Sequence, residues 1–137
     1  MRRAIALAAL IALSAATAAS AETWKKYVDS ENGTAWSYDA DYSYKDRATG
    51  RVVVMQAISK PSAKLGPDGP GKPDGVGSVV AIDCQQKNMI VLGGYQPGKE
   101  LQIADDWRSE TPKKATGSDN EALVAAVCPT EAKLPVK

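Results

Sequence analysis

The chain has 137 residues, and its 17 lysines and arginines nearly balance 16 aspartates and glutamates, giving a formal net charge of +1 with the two signs interspersed. That balance argues against a nucleic-acid partner, which needs a basic patch to displace condensed counterions. Histidine and phenylalanine are both absent. The first absence excludes Ser-His and Cys-His dyads within the chain and removes the commonest metal and haem ligand; the second leaves aromatic core volume to three tryptophans and five tyrosines.

The N-terminus reads as an export signal. Arg2 and Arg3 precede a wholly apolar stretch, Ala4 to Leu13, and small residues lead to Ala19-Ser20-Ala21, a pattern that signal peptidase can cleave. The apolar run is too short for a membrane span of roughly 30 Å. Cleavage after Ala21 leaves residues 22–137, a length that suits one domain, and loses Arg2 and Arg3, which moves the formal charge to −1. No cysteine sits directly after Ala21, so no lipid anchor is expected. The address predicted is the periplasm, the cell surface or the medium. Two cysteines in an exported chain are expected to pair, here Cys84 with Cys128.

Trp24 to Val28 reads as a first strand, followed by a polar turn whose Asn32-Gly33 suits a tight hairpin. From Ala35 to Tyr44, Trp36, Tyr38, Ala40, Tyr42 and Tyr44 alternate with small polar residues, which predicts an aromatic stripe on one face of extended chain. Asp39 to Ser43 begins like a calcium loop but has Tyr44 and Gly50 where an EF-hand needs glycine and glutamate, so a solvated turn is expected. Arg51 to Ser59 carries the strongest strand signal, with three successive valines and cover expected on both faces. Residues 60–77 hold four prolines and five glycines and read as a long loop.

Ser78–Cys84 and Met89–Leu92 are two further predicted strands, the second ended by Gly93-Gly94, and Glu100 to Ala104 is a shorter candidate. Ser118-Asp119-Asn120-Glu121 fits a capping box. Leu123, Val124, Val127 and Cys128 follow at helical spacing, with Leu123 and Val127 predicted inward and Pro129 as the stop. The tail beyond Pro129 reads as loose. Antiparallel strands followed by one helix make an α+β domain: a small antiparallel sheet with a C-terminal helix packed on it, stapled by one disulfide.

Trp24, the Trp36–Asp39 segment W-S-Y-D, the valine-rich strand, I-D-C at Ile82–Cys84, Trp107 and V-C-P at Val127–Pro129 together resemble the surface-adhesin protein E family of bacterial envelope proteins. The resemblance runs thinly from Trp24 to Cys128. It implies an antiparallel sheet backed by a C-terminal helix, with the two cysteines bridged. It also implies relatives that sit on the cell surface, bind host matrix proteins or haem, and dimerise. The chain departs from the adhesive members in lacking their lipid-accepting cysteine, and a haem site would have to use tyrosine or methionine.

Candidate binding residues are Trp36, Tyr38, Tyr42 and Tyr44. Flat aromatics can stack on sugar rings or anchor an interface, while the lack of phenylalanine favours a core role for them. Asp105, Asp106 and Glu110, near Trp107 and Arg108, read as a solvated face rather than an acid–base pair. The 60–77 loop is a second candidate contact surface, with a plain connection the simpler reading. The expectation is an exported, non-enzymatic, adhesin-like binding module without metal or cofactor. Its partner is an unidentified protein or glycan at the envelope or host surface, and a homodimer belongs to the same expectation. The alternative is a periplasmic inhibitor or accessory protein of a cell-wall enzyme.

Overall fold

The computed structural model describes residues 23–59 and 73–137. The export signal, and most of the predicted loop at 60–77, lie outside the described residues.

The described chain forms an antiparallel sheet with one helix packed on it. Its strands are β1 (Trp24–Asp29), β2 (Ala35–Asp39), β3 (Tyr44–Lys45), β4 (Val52–Ser59), β5 (Gly77–Asp83), β6 (Asn88–Tyr95) and β7 (Lys113–Lys114). They pair in the order β1-β2-β4-β5-β6-β7, with β3 also on β4. The helix α1 spans Ser118–Val127. As its valine run predicts, β4 is central, and seven of its eight residues are buried.

Period-two alternation sends β4 and β5 side chains to opposite faces. Val53, Met55, Ala57, Val79 and Ala81 join Ile90, Leu92 and Trp107 in one apolar cluster. Val52, Val54, Val80 and Ile82 meet Leu123, Val124 and Val127 in a second, under the helix. Leu123 and Val127 are fully buried, as their spacing predicts. One buried polar residue on the helix face, Gln56, is satisfied by its neighbours: it accepts from the Tyr27 hydroxyl at 2.5 Å, and its amide donates to Ser78 Oγ at 3.2 Å.

Several local readings are corrected. The first hairpin has no two-residue turn; Asp29 pairs with Ala35, and a short 3-10 turn at Glu31–Gly33 lies between, with only Gly33 at positive φ. β6 runs through Gly93 and Gly94 instead of ending before them. Glycine is required at Gly93 because a Cβ there would collide with the Gln102 carbonyl oxygen, where the following segment folds back across the strand. That segment, predicted as a strand at Glu100–Ala104, forms no strand; its Ala104 amide donates to Leu92 O at 3.0 Å, and Leu101 and Ile103 pack against the core cluster.

The capping box does not form either. Gly117, at φ 92°, precedes the helix, so Ser118 is already its first residue and makes no side-chain cap bond. The Glu121 amide donates instead to the Gly117 carbonyl. The α-helix ends at Val127, ahead of Pro129 as expected, and the chain continues in a different helical form. Pro129 sits in the first turn of a 3-10 segment, Cys128–Lys133, where its missing N–H costs nothing.

The tail beyond Pro129 is ordered, contrary to the sequence reading. Lys45 N donates to Pro135 O, Lys137 N to Lys45 O, and Arg47 N to Lys137 O, each within 2.9 Å. The tail thus runs parallel to β3, bridged at Lys45 and Val136. Three backbone bonds at a net 0.5–1.5 kcal/mol each make truncation after Lys133 cost about 2 kcal/mol, to be read from denaturant unfolding. A loss below about 0.5 kcal/mol would mean that the pairing contributes nothing.

Candidate functional site

The disulfide is present as expected. Cys84 follows β5 and Cys128 follows α1, with Cα atoms 5.7 Å apart and a sequence separation of 44. It closes the helix onto the sheet. A cleft of about 400 Å³ lies beside it, lined in part by Lys87, Ala115, Glu121 and Val124.

The aromatic stripe is not one surface. Its break lies at Asp39, whose Oδ1 accepts from the amides of Thr23, Asp41 and Tyr42 at 3.0–3.3 Å. An aspartate that binds amides two and three residues ahead bends the chain into a turn. Alternation is lost there, and the aromatics divide between the faces. Tyr38 is buried on the helix side, with its ring 6.2 Å from Tyr27. Trp36, half-buried, pairs with Ile58 and Val28. Tyr42 and Tyr44 emerge on the opposite face, packed against the Trp107 cluster. The predicted solvated turn is a turn, but its Asp39 is buried and fully engaged in shaping it.

Tyr42 and Tyr44 thus form their own site. Their ring centroids are 6.1 Å apart and the planes are inclined by 56°. Both rings are half-buried, and neither hydroxyl has a hydrogen-bond partner among the described residues. Burial, with smaller contributions from Tyr44 and Asp39, pushes the Tyr42 phenol up to about 12. Burial also raises Tyr44, assisted by Asp46 and opposed by Arg108. Both phenols therefore remain protonated donors at neutral pH.

Two cations flank the rings. Lys137 Nζ lies 5.2 Å from the Tyr44 ring centroid, brought there by the tail ladder. Arg108 lies with Cζ 4.6 Å from the Trp107 centroid. Its Nη2 and Nε donate to the two Asp46 carboxylate oxygens at 2.6 and 3.1 Å. Asp46 Oδ2 also accepts from the Thr49 amide at 3.0 Å and the Thr49 hydroxyl at 2.7 Å. The Asp46 side chain is 1% exposed and that of Arg108 46%. The Arg108 hydrogen bond holds the Asp46 carboxyl below its ordinary range, against the opposing effect of burial. The fork fixes Arg108 in place and leaves Nη1 with no hydrogen bond among the described residues.

Arg108 and Lys137 were absent from the candidate residues because nothing local brings them to Tyr44. Arg108 is 62 residues from its partner Asp46. The available signal was the D-R-A-T-G run from Asp46 to Gly50, an aspartate three residues ahead of a threonine, which marks a turn-forming carboxylate. Asp105, Asp106 and Glu110 are exposed, as expected of a solvated face. Among the described residues, no group of three histidines, cysteines, aspartates or glutamates could hold a metal ion.

Comparison with known proteins yields no match for this chain among family models, curated proteins or solved structures.

Proposed function

We propose that this chain is an exported, non-enzymatic binding module of the cell envelope, adhesin-like in the manner of the surface-adhesin protein E family it resembles. The observation that carries the reading is the Tyr42–Tyr44 surface. It presents two protonated phenols with no hydrogen-bond partner among the described residues, Lys137 over the Tyr44 ring, and Arg108, which Asp46 holds through Nε and Nη2 with Nη1 left unbonded. Aromatic and arginine side chains are the groups most often found at the energetic centre of a binding surface.

The non-enzymatic part is supported by the chemistry available. No histidine exists to act as a base. The buried carboxylates Asp39 and Asp46 accept hydrogen bonds that shape turns and fix Arg108. A disulfide is compatible with an extracytoplasmic location. No helix among the described residues is long and apolar enough to cross a membrane. The alternative, an inhibitor of a cell-wall enzyme, relies on the 60–77 loop, most of which lies outside the described residues.

The test has two parts. Antibody labelling of intact cells, set against permeabilised controls, should detect the protein beyond the outer surface. The exported protein should also bind isolated envelopes or matrix-coated surfaces saturably. Labelling restricted to permeabilised cells, with no saturable binding to either material, would overturn the proposal.

A further inference from the structure

The cation–aromatic face suggests a ligand class. We infer that the Tyr42–Tyr44 surface is a binding site for an acidic saccharide; the inference rests on the binding-module reading and gives its ligand a chemistry. A sugar ring presents an apolar C–H face suited to an aromatic ring, with hydroxyls around its edge to meet donors and acceptors. Here two tyrosine rings stand 6.1 Å apart at 56° to each other, so they offer two differently directed faces rather than one flat apolar plane. Their hydroxyls are free to donate to ring-edge oxygens, with no competing partner among the described residues.

The acidic substituent is specified by the flanking charges. Arg108 is locked by Asp46 through Nε and Nη2, which leaves Nη1 as a pre-positioned donor. Lys137 stands at Tyr44, and Arg47 adjoins it through the backbone bond to Lys137 O. Neither Lys137 nor Arg47 forms an ion pair among the described residues. Lys45, by contrast, is neutralised by Glu131 at 3.4 Å. Carboxylate or sulfate groups on a sugar would complete these donors by charge-assisted hydrogen bonds. A folded protein partner is less well matched, because a stable protein interface buries roughly 1,200–2,000 Å² around an apolar centre. The half-buried rings here are rimmed by charge.

The inference is tested by titrating the exported protein with four polymers: polygalacturonate (carboxylated sugar), dextran sulfate (sulfated sugar), dextran (neutral sugar) and polyglutamate (acid without sugar). Binding of one or both acidic sugars is expected, at least tenfold tighter than dextran or polyglutamate, and the stronger of the two identifies the acid group. Lys137→Glu should weaken that binding at least tenfold with the fold retained, and Tyr42→Phe, which removes only the hydroxyl, by about threefold, consistent with a single lost hydrogen bond. Equal binding of polyglutamate would overturn the saccharide assignment in favour of an acidic peptide. Equal binding of dextran would overturn the role given to the cations. Silence from all four polymers would overturn the inference itself while leaving the envelope-binding assay to decide the broader proposal.

Discussion

Replacing Cys84 and Cys128 together with serine is expected to lower the unfolding free energy by about 4 kcal/mol. The magnitude follows from the loop closed by the bond, 44 residues in sequence separation, through the chain-entropy relation for cross-linked unfolded states. The position of the bond gives the loss a structural form. α1 has ten residues, too few to be stable on its own in water, and it stays on the sheet through Leu123, Val124 and Val127 and through the disulfide at its end. Without the disulfide, that apolar contact and the tail's bonds to β3 are left to restrain it. Denaturant unfolding at neutral pH checks the prediction, as does amide exchange across α1, which should accelerate before exchange in β4. A loss below about 1 kcal/mol, outside the usual range for a native disulfide, would show that the staple is incidental.

Asp46→Ala is expected to cost about 2 kcal/mol, in the range for losing hydrogen bonds to a charged group, because the Arg108 left behind is half exposed and can be solvated. The substitution strands the Thr49 amide, frees the Arg108 fork and detaches the Trp107–Arg108 turn from the β3–β4 connection. The associated pH dependence has a definite sign. The Asp46 carboxyl is held below its ordinary value, so its stabilisation is complete above the unfolded carboxylate value of about 3.9 and is lost as pH falls through the lower folded value. The stability difference between the native protein and Asp46→Ala should therefore be constant from about pH 5 to 7 and shrink below about pH 4. A difference that did not change with pH would mean that the ionised carboxylate is not the stabilising form. The variant should also weaken binding at Tyr42–Tyr44, because Arg108 loses its fixed position.

Much of the architecture was legible because it depends on local pattern. Val52–Val54 marks β4 through composition alone, and Leu123 and Val127 mark the helix face through spacing. The paired cysteines follow from their number in a chain whose N-terminus reads as an export signal. The features that were not legible depend on contacts distant in sequence or on backbone conformation. The aromatic alternation carried past residue 40 in the sequence, but three amide bonds to Asp39 turned the chain and split the stripe. Gly117 shifted the helix start by one residue, so the Ser118 capping pattern had no cap to make. The tail carried no strand pattern, since its order comes from backbone bonds to Lys45 and Arg47.

The candidate site shows the same division. Tyr42 and Tyr44 were named from residue type, yet Tyr38 lies under the helix on the other face, and Trp36, two residues earlier in the same regular strand, is on Tyr38's side. The cations that give the site its chemistry arrive by two long-range routes. Asp46 secures Arg108, and the β3 edge carries Lys137.

The central claim is that this cation–aromatic face is where the protein meets its partner. Side-chain footprinting by hydroxyl radicals, performed on the protein free and bound to isolated envelopes, tests it most directly. The account predicts protection of Tyr42, Tyr44 and Lys137 on binding, with no change at Lys87 or Glu121 beside the disulfide cleft. Protection concentrated at the cleft, with Tyr42 and Tyr44 unchanged, would contradict it.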